Sequence, residues 1–219
     1  MEESTAEQIS TEQPSSTFKC ICIIGLGLIG ASIAAALKRA YPDVRIFGVD
    51  TDSRTRVVAR ERGWVDEVSG PEDESFAHFI TDAADLVIIA TPVACVEEYL
   101  EKLAALGYQG VVTDTVSTKT HIIEAAERIL PSPQNYIPGH PMSGSENNGI
   151  DGARSDLFEG SNWILCPDAQ TVPEHYQALH ELICGLSARV VSIKREDHDK
   201  TVAIVSHVPH LVASALVNL

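Results

Sequence analysis

Basic side chains are scarce in this 219-residue chain: 16 Lys and Arg stand against 31 Asp and Glu, a formal charge of −15. A surface of that sign has no sequence-independent attraction for phosphate backbones or anionic lipid, so nucleic-acid and membrane-surface roles are set aside. Residues 1–17 contain no Lys or Arg and no apolar stretch, so they form no secretory signal. Their Ser, Thr, Glu and Gln content predicts a disordered tail carrying the charges of Glu2, Glu3, Glu7 and Glu12. The five cysteines make no C-x-x-C pair and no spacing with histidine that suits a metal. Four of them sit in apolar runs and read as small core residues of a protein in a reducing, cytoplasmic compartment. Long unbroken apolar runs are missing too. Residues 20–37 are 18 positions without a charge, close to a membrane span, but Gly25, Gly27 and Gly30 divide them into a β-branched half and an alanine-rich half. That division is the pattern of a buried strand, a tight turn and a helix.

What is present is the composition of a soluble globular protein: 44% apolar and 21% charged residues, with mean hydropathy +0.03. The length allows one large domain, or a medium one with part of a second. From Lys19 onward, apolar runs of four to six residues alternate with longer amphipathic stretches, which predicts an α/β fold with a mostly parallel sheet. Strands are expected at 19–24, 44–49, 85–90, 110–113, 135–138, 162–166 and 189–193, and helices at 28–40, 53–62, 93–106, 118–130 and 173–184. After Ile193 the rhythm changes, and 195–219 reads as one helix, polar at its start and apolar to its end. The expected organisation is therefore a tail over 1–17, an α/β domain over 18–193 and the start of a helical domain over 194–219. The apolar ending HLVASALVNL, without cap or polar tail, reads as a chain cut short.

Gly25-Leu26-Gly27-Leu28-Ile29-Gly30 follows a strand and opens a helix, and Asp50 ends the second strand. This is the dinucleotide-binding fingerprint in its proper context, that of a Rossmann-type domain. The first glycine permits the turn, the second admits the pyrophosphate, the third lets helix and strand pack, and free N–H groups at the helix start receive the phosphates. A carboxylate at Asp50 suits a ribose 2′-hydroxyl and repels a 2′-phosphate, which favours NAD over NADP; Thr51 and Ser53 do not exclude phosphate. Thr91-Pro92 and the stretch 113–119 leave the carboxyl ends of two further strands, where ligands bind in open α/β sheets. Pro92 suits a helix start, and Ser117 suits a helix N-cap, a catalytic role, or both.

His140 stands between Pro138 and Pro141 at the end of a predicted strand, a backbone-restricted setting suited to proton transfer near neutral pH. His78, His121, His175, His180 and His198 lie in polar or helical surroundings and are expected at the surface. In Ser206-His207-Val208-Pro209-His210, Pro209 frees the carbonyl of Val205, so a kink is expected, and His207 and His210 share a helix face. Taken singly, each reads as an ordinary helical histidine.

The set GLGLIGAS, DTVSTK, YIPGHPMSGSENNG and SHVPH, in this order, resembles the prephenate dehydrogenase and arogenate dehydrogenase family of tyrosine biosynthesis over about residues 19–219. The resemblance implies NAD-dependent oxidative decarboxylation, with His140 taking the proton of the substrate's ring hydroxyl and Ser117 hydrogen-bonding the same hydroxyl. It places His210 near substrate with Ser206 and His207 beside it, and makes Ser145 and Glu146 line and gate the pocket. It implies that the helical domain is all-helical and forms a homodimer. The family's arginine for the substrate carboxylates lies beyond Leu219, which leaves Lys119 and Arg154 as the cations near the motifs. This chain is accordingly expected to bind NAD well and to turn over poorly by itself. Prephenate and arogenate stay open as substrates. A non-catalytic nucleotide-binding or dimerisation module is the alternative class, and another hydroxyacid dehydrogenase is disfavoured by the lack of a catalytic lysine motif.

Overall fold

Strands that are apolar at every position need cover on both faces. In Cys20–Ile24 (β1), Ile21 and Ile23 point to one apolar layer while Cys22 and Ile24 point to the other. The computed structural model describes residues 15–217, apart from the side chains of His207, His210, Ala213 and Val217. In chain order β1 leads to α1 (Leu28–Ala40), β2 (Arg45–Val49), α2 (Ser53–Glu61), β3 (Glu67–Ser69) and α3 (Glu74–Asp82). Then come β4 (Leu86–Ile89), α4 (Val93–Ala105), β5 (Val111–Asp114), α5 (Thr120–Ile129) and β6 (Tyr136–Ile137). These six strands form one parallel sheet in the order β3-β2-β1-β4-β5-β6. The chain winds outward from β1 to β3, then returns to β4 on β1's other side, so a crevice opens at the carboxyl ends of β1 and β4.

A second, three-stranded sheet departs from the single sheet expected. The run 135–138 is not one strand: Asn135 closes a 3₁₀ turn, β6 covers two residues, and Pro138, with no N–H to give, ends the ladder. The chain resumes as β7 (Gly139–Pro141), antiparallel to β8 (Asn162–Leu165), which pairs in parallel with β9 (Arg189–Ser192). His140 is thus the middle residue of β7, opposite Ile164, and not the end of a strand of the main sheet. Gly139 makes this crossing possible. A Cβ there would lie 2.6 Å from the Asp114 carbonyl oxygen, so β7 passes directly over the end of β5.

Helix α6 (Pro173–Gly185) packs with α1 in one layer, through Leu179, Leu182 and Ile183, while α3, α4 and α5 fill the other. The helix expected over 195–219 is in three pieces: α7 (Arg195–Val202), a π turn (Ala203–His207) and α8 (Val208–Val217). Pro209 cannot donate to Val205, and the chain meets this by widening, with the Val208 N–H reaching back five residues to Ala203. Along the last two pieces Ile204, Val205, Val208, Leu211, Val212 and Leu216 are exposed.

Of the expected tail, residues 1–14 lie outside the described residues. Residues 15–17 are described, and Ser16 is already buried, its carbonyl accepting from Lys19 Nζ at 2.7 Å. The cysteines are free thiols: Cys22 and Cys166 are buried, Cys20 and Cys95 half-buried, and Cys184 exposed on α6. Among the described residues no helix is long and apolar enough to cross a membrane, and no group of three His, Cys, Asp or Glu could hold a metal.

Candidate active site

The glycine loop joins β1 to α1. Gly25 sits at φ +92°, and a Cβ there would be 2.6 Å from the Ala90 carbonyl oxygen; one on Gly30 would be 1.8 Å from the Gly25 carbonyl oxygen. Gly27 differs, since a Cβ on it would meet nothing within 4 Å. It is the N-cap of α1, which has no side-chain cap and no acidic residue in its first turn. The half-buried Leu28 and Ile29 begin the helix, with their side chains packed on the core. The positive end of α1 therefore faces a cleft of about 320 Å³, whose lining includes Gly25, Gly27, Asp50, Thr51, Thr91 and Pro92. Thr91 Oγ1 is buried there with no hydrogen-bond partner among the described residues. Pro92 is the N-cap of α4.

Asp50 accepts from the Leu26 N–H at 2.7 Å through Oδ2 and from the Asp52 N–H at 2.9 Å through Oδ1, so one carboxylate ties the glycine loop to the end of β2. The neighbouring arginines are committed elsewhere. Arg56 donates to the carbonyls of Asp50 (2.6 Å) and Thr51 (3.1 Å), and Arg54 pairs with Asp151. Asp52 caps α2, and its hydrogen bond from the Thr55 hydroxyl, with those from the Arg54 and Thr55 N–H groups, holds its carboxyl below the usual range.

The second centre is built on β7 and α7. His140 is buried, and its Nδ1 lies 3.1 Å from Nε2 of His198, the rings tilted at 52°. His198 is 0% exposed, which overturns its assignment to the surface, and its Nδ1 lies 2.8 Å from Asp199 Oδ1. Asp199 in turn accepts from the N–H of Lys119 (2.8 Å), the N–H of Thr120 (3.0 Å) and the Thr120 hydroxyl (2.6 Å). Burial alone would raise this carboxyl, but the hydrogen bonds from Thr120, His198 and Lys119 outweigh it and hold the group well below the usual carboxylate range. For His198, burial pushes the imidazole down, against the upward pull of Asp199.

Asp199 also explains why the N-cap reading of Ser117 fails. Helix α5 begins three residues later, at Thr120, and the groups at its start are satisfied from α7. Ser117 is exposed on the β5–α5 loop. Lys119 is not available as a substrate cation: its side chain is wholly buried, ion-paired with the equally buried Asp114, and donates to the Val116 carbonyl at 2.7 Å. Asp114 also accepts from the Tyr136 hydroxyl at 2.6 Å and the Val116 N–H at 3.0 Å, so the loop carrying Ser117 is pinned from below. Burial, reinforced by Asp114, pushes the Tyr136 hydroxyl well up.

Arg154 is exposed, 3.5 Å from Asp156, with its N–H on the Ser32 hydroxyl beside α1. Ser145 is half-buried and accepts from the Asn147 N–H at 3.2 Å; Glu146 is exposed on the same loop. Ser206 lies half-buried in the π turn, while the side chains of His207 and His210 lie outside the described residues. The structure thus joins His140, the Ser117 loop and two residues missed from sequence, His198 and Asp199. The sequence carries no signal for them: His198 and Val202, four apart on α7, are both buried in the fold, a stripe too short to show as periodicity.

The sheet order, the glycine loop and the open helix start define a nucleotide-binding α/β domain of the dinucleotide type. The chain belongs to the prephenate dehydrogenase family: residues 33–192 match its nucleotide-binding domain and residues 194–219 its dimerization domain. It is 38% identical over 200 residues to a prephenate dehydrogenase of Bacillus subtilis, covering 90% of this chain and 53% of that protein. The chain spans about half the length of the curated relatives it matches first. Its fold superposes with TM-score 0.82 on a prephenate dehydrogenase from Aquifex aeolicus in complex with hydroxyphenyl propionate and NAD⁺ (29% identical; 94% of this chain, 70% of that one). A Synechocystis arogenate dehydrogenase gives TM-score 0.79 (34% identical; 91% and 68%).

Proposed function

We propose that the complete protein is an NAD-dependent dehydrogenase that converts prephenate to 4-hydroxyphenylpyruvate by oxidative decarboxylation. The observation that carries this reading is the placement of His140 by Gly139 over the carboxyl end of β5, on the same edge of the sheet as the glycine-loop cleft. The cleft suits the cofactor. Gly27 leaves room for a pyrophosphate against the start of α1, and Asp50 offers its carboxylate to a ribose. Among the described residues, Arg56 is hydrogen-bonded to the Asp50 and Thr51 carbonyls and Arg54 is paired with Asp151, so neither is directed at a 2′-phosphate, which supports NAD over NADP. Thr91 and Pro92 line the same cleft. Bound NAD⁺ supplies the hydride acceptor.

The chain's own residues orient and deprotonate. His140 takes the hydroxyl proton at Nε2, since Nδ1 is engaged by His198, and Ser117 hydrogen-bonds the same hydroxyl. Removing that proton as hydride leaves the ring carbon drives electron density toward a carbonyl, and loss of CO₂ then makes the ring aromatic. Ser145, Glu146, Ser206, His207 and His210 are assigned to the substrate pocket. The cation for the substrate carboxylates comes from the helical domain, with Arg154 the remaining candidate on this chain. The division is residues 18–193 for nucleotide and 194–219 for the start of a helical region through which two copies pair. Five free cysteines suit a cytoplasmic setting.

Arogenate is the second substrate reading, favoured by the likeness to the Synechocystis enzyme. Absorbance of NADH after mixing complete protein, NAD⁺ and each substrate tests both; the rate rises with pH through one ionisation, and His140→Asn loses several orders of magnitude. Silence with both substrates overturns the proposal, and an unchanged rate in His140→Asn removes that residue from it.

A further inference from the structure

We propose that His198 and Asp199 are positioning residues that hold neutral His140 in the Nδ1–H tautomer, with the lone pair on Nε2. The argument follows donors and acceptors inward. Asp199 is an ionised carboxylate receiving three hydrogen bonds from Lys119 and Thr120, so toward His198 it also only accepts. At 2.8 Å from Oδ1, His198 Nδ1 must therefore carry a hydrogen. A neutral imidazole protonated at Nδ1 has its lone pair at Nε2. That atom faces His140 Nδ1 at 3.1 Å, which must then bring the proton to the contact.

A doubly protonated His198 would reverse the last step, and its surroundings oppose it. The side chain is wholly buried. The groups facing it are Asp199 on its own helix, Lys119 before α5, Asp114 on β5 and His140 on β7. Lys119 and Asp114 neutralise each other, so the one uncompensated charge is that of Asp199, matched by four hydrogen bonds. A second positive charge has no partner there.

The inference deepens the function proposed for His140. When His140 takes a proton at Nε2, the O–H bond breaks and an N–H bond forms; its Nδ1–H already points at the His198 lone pair, so the new imidazolium is stabilised while Asp199 stays ionised and no proton moves along the chain of three groups. Asp199, His198 and the α5 N-terminus share one network, so the loop that carries Ser117 and the ring of His140 are set by the same carboxylate.

Imidazole ¹⁵N shifts of the full chain in mildly alkaline solution test this without any substrate. The expected result is a pyrrole-type Nδ1 and a pyridine-type Nε2 for His140; the opposite tautomer in the unaltered protein overturns the proposal. In Asp199→Ala nothing is left to accept from His198 Nδ1, so His198 no longer fixes the contact and His140 becomes a mixture of its two neutral tautomers; a His140 that keeps a single Nδ1–H form overturns the proposal. His198→Gln keeps an acceptor for His140 and keeps Nδ1–H, whereas His198→Phe releases it. In the active protein Asp199→Ala lowers kcat by about tenfold or more with KM for NAD⁺ unchanged, because the base is no longer held in one tautomer and orientation, and His198→Gln recovers most of what His198→Phe loses. If the tautomers behave as stated and neither substrate turns over, the functional reading fails and the positioning network stands.

Discussion

Lys119 and Asp114 are both wholly buried, and each has the other as its charge partner. Removing one partner leaves a buried charge uncompensated, which costs about 3–5 kcal/mol. Lys119→Met should therefore lower unfolding free energy by about that amount in a urea titration, and Lys119→Met with Asp114→Asn should recover much of it. The residues above this pair set the acid limb. For His198 the folded value lies below the unfolded one, so the unfolded chain binds more protons as pH falls through about 6.5. For Asp199 the folded value is again the lower, and the same inequality holds below about pH 4. Both make stability fall with falling pH, in two steps. Denaturation midpoints measured from pH 7 down to 3 should show this, and His198→Gln should flatten the upper step while leaving the lower.

At the scale of elements, the glycine loop separates folding from binding. Gly30→Ala drives a Cβ to 1.8 Å from the Gly25 carbonyl oxygen and must displace backbone, whereas Gly27→Ala places its methyl in open space above the start of α1. Gly27→Ala should change unfolding free energy by less than about 1 kcal/mol yet weaken NAD binding at least about tenfold, read by calorimetry. Gly30→Ala should lose both; equal binding in Gly27→Ala and the parent would remove the pyrophosphate from that position. These elements were legible in the sequence because their constraints are local. Helices α1, α4 and α6 start at the residues expected, since a glycine turn or a proline fixes each start. Strand β3 is three residues long and shows no period, and in α3 only Phe76, Phe79 and Ile80, at helical spacing, mark the inner face of a nine-residue helix that follows a polar run. The break at Pro138 and the π turn before Pro209 are the chain's answers to a missing N–H, and their form depends on neighbours far away in sequence. His198 was misplaced for the same reason: its burial is decided by β7 and by the capping of α5, not by the polar residues around it.

For the whole molecule, the sheet between residues 20 and 137 is covered on both faces, and among the described residues many surface cations are paired with carboxylates. The exception is the region from Ile204 to Leu216, where six large apolar side chains are exposed along two consecutive helical pieces. Water penalises such a stripe at about 25 cal/mol per Å², and a patch of that kind on a soluble domain marks a surface that associates. The match of residues 194–219 to a dimerization domain agrees with this placement. Self-association of the chain should therefore depend on concentration and run through this stripe. Sedimentation velocity should show the weight-average mass rising with loading, and Leu211→Glu with Leu216→Glu should hold the chain at its monomer mass while NAD binding, whose cleft these residues do not line, stays within about twofold. An association that survives both substitutions would place the contact elsewhere on the molecule.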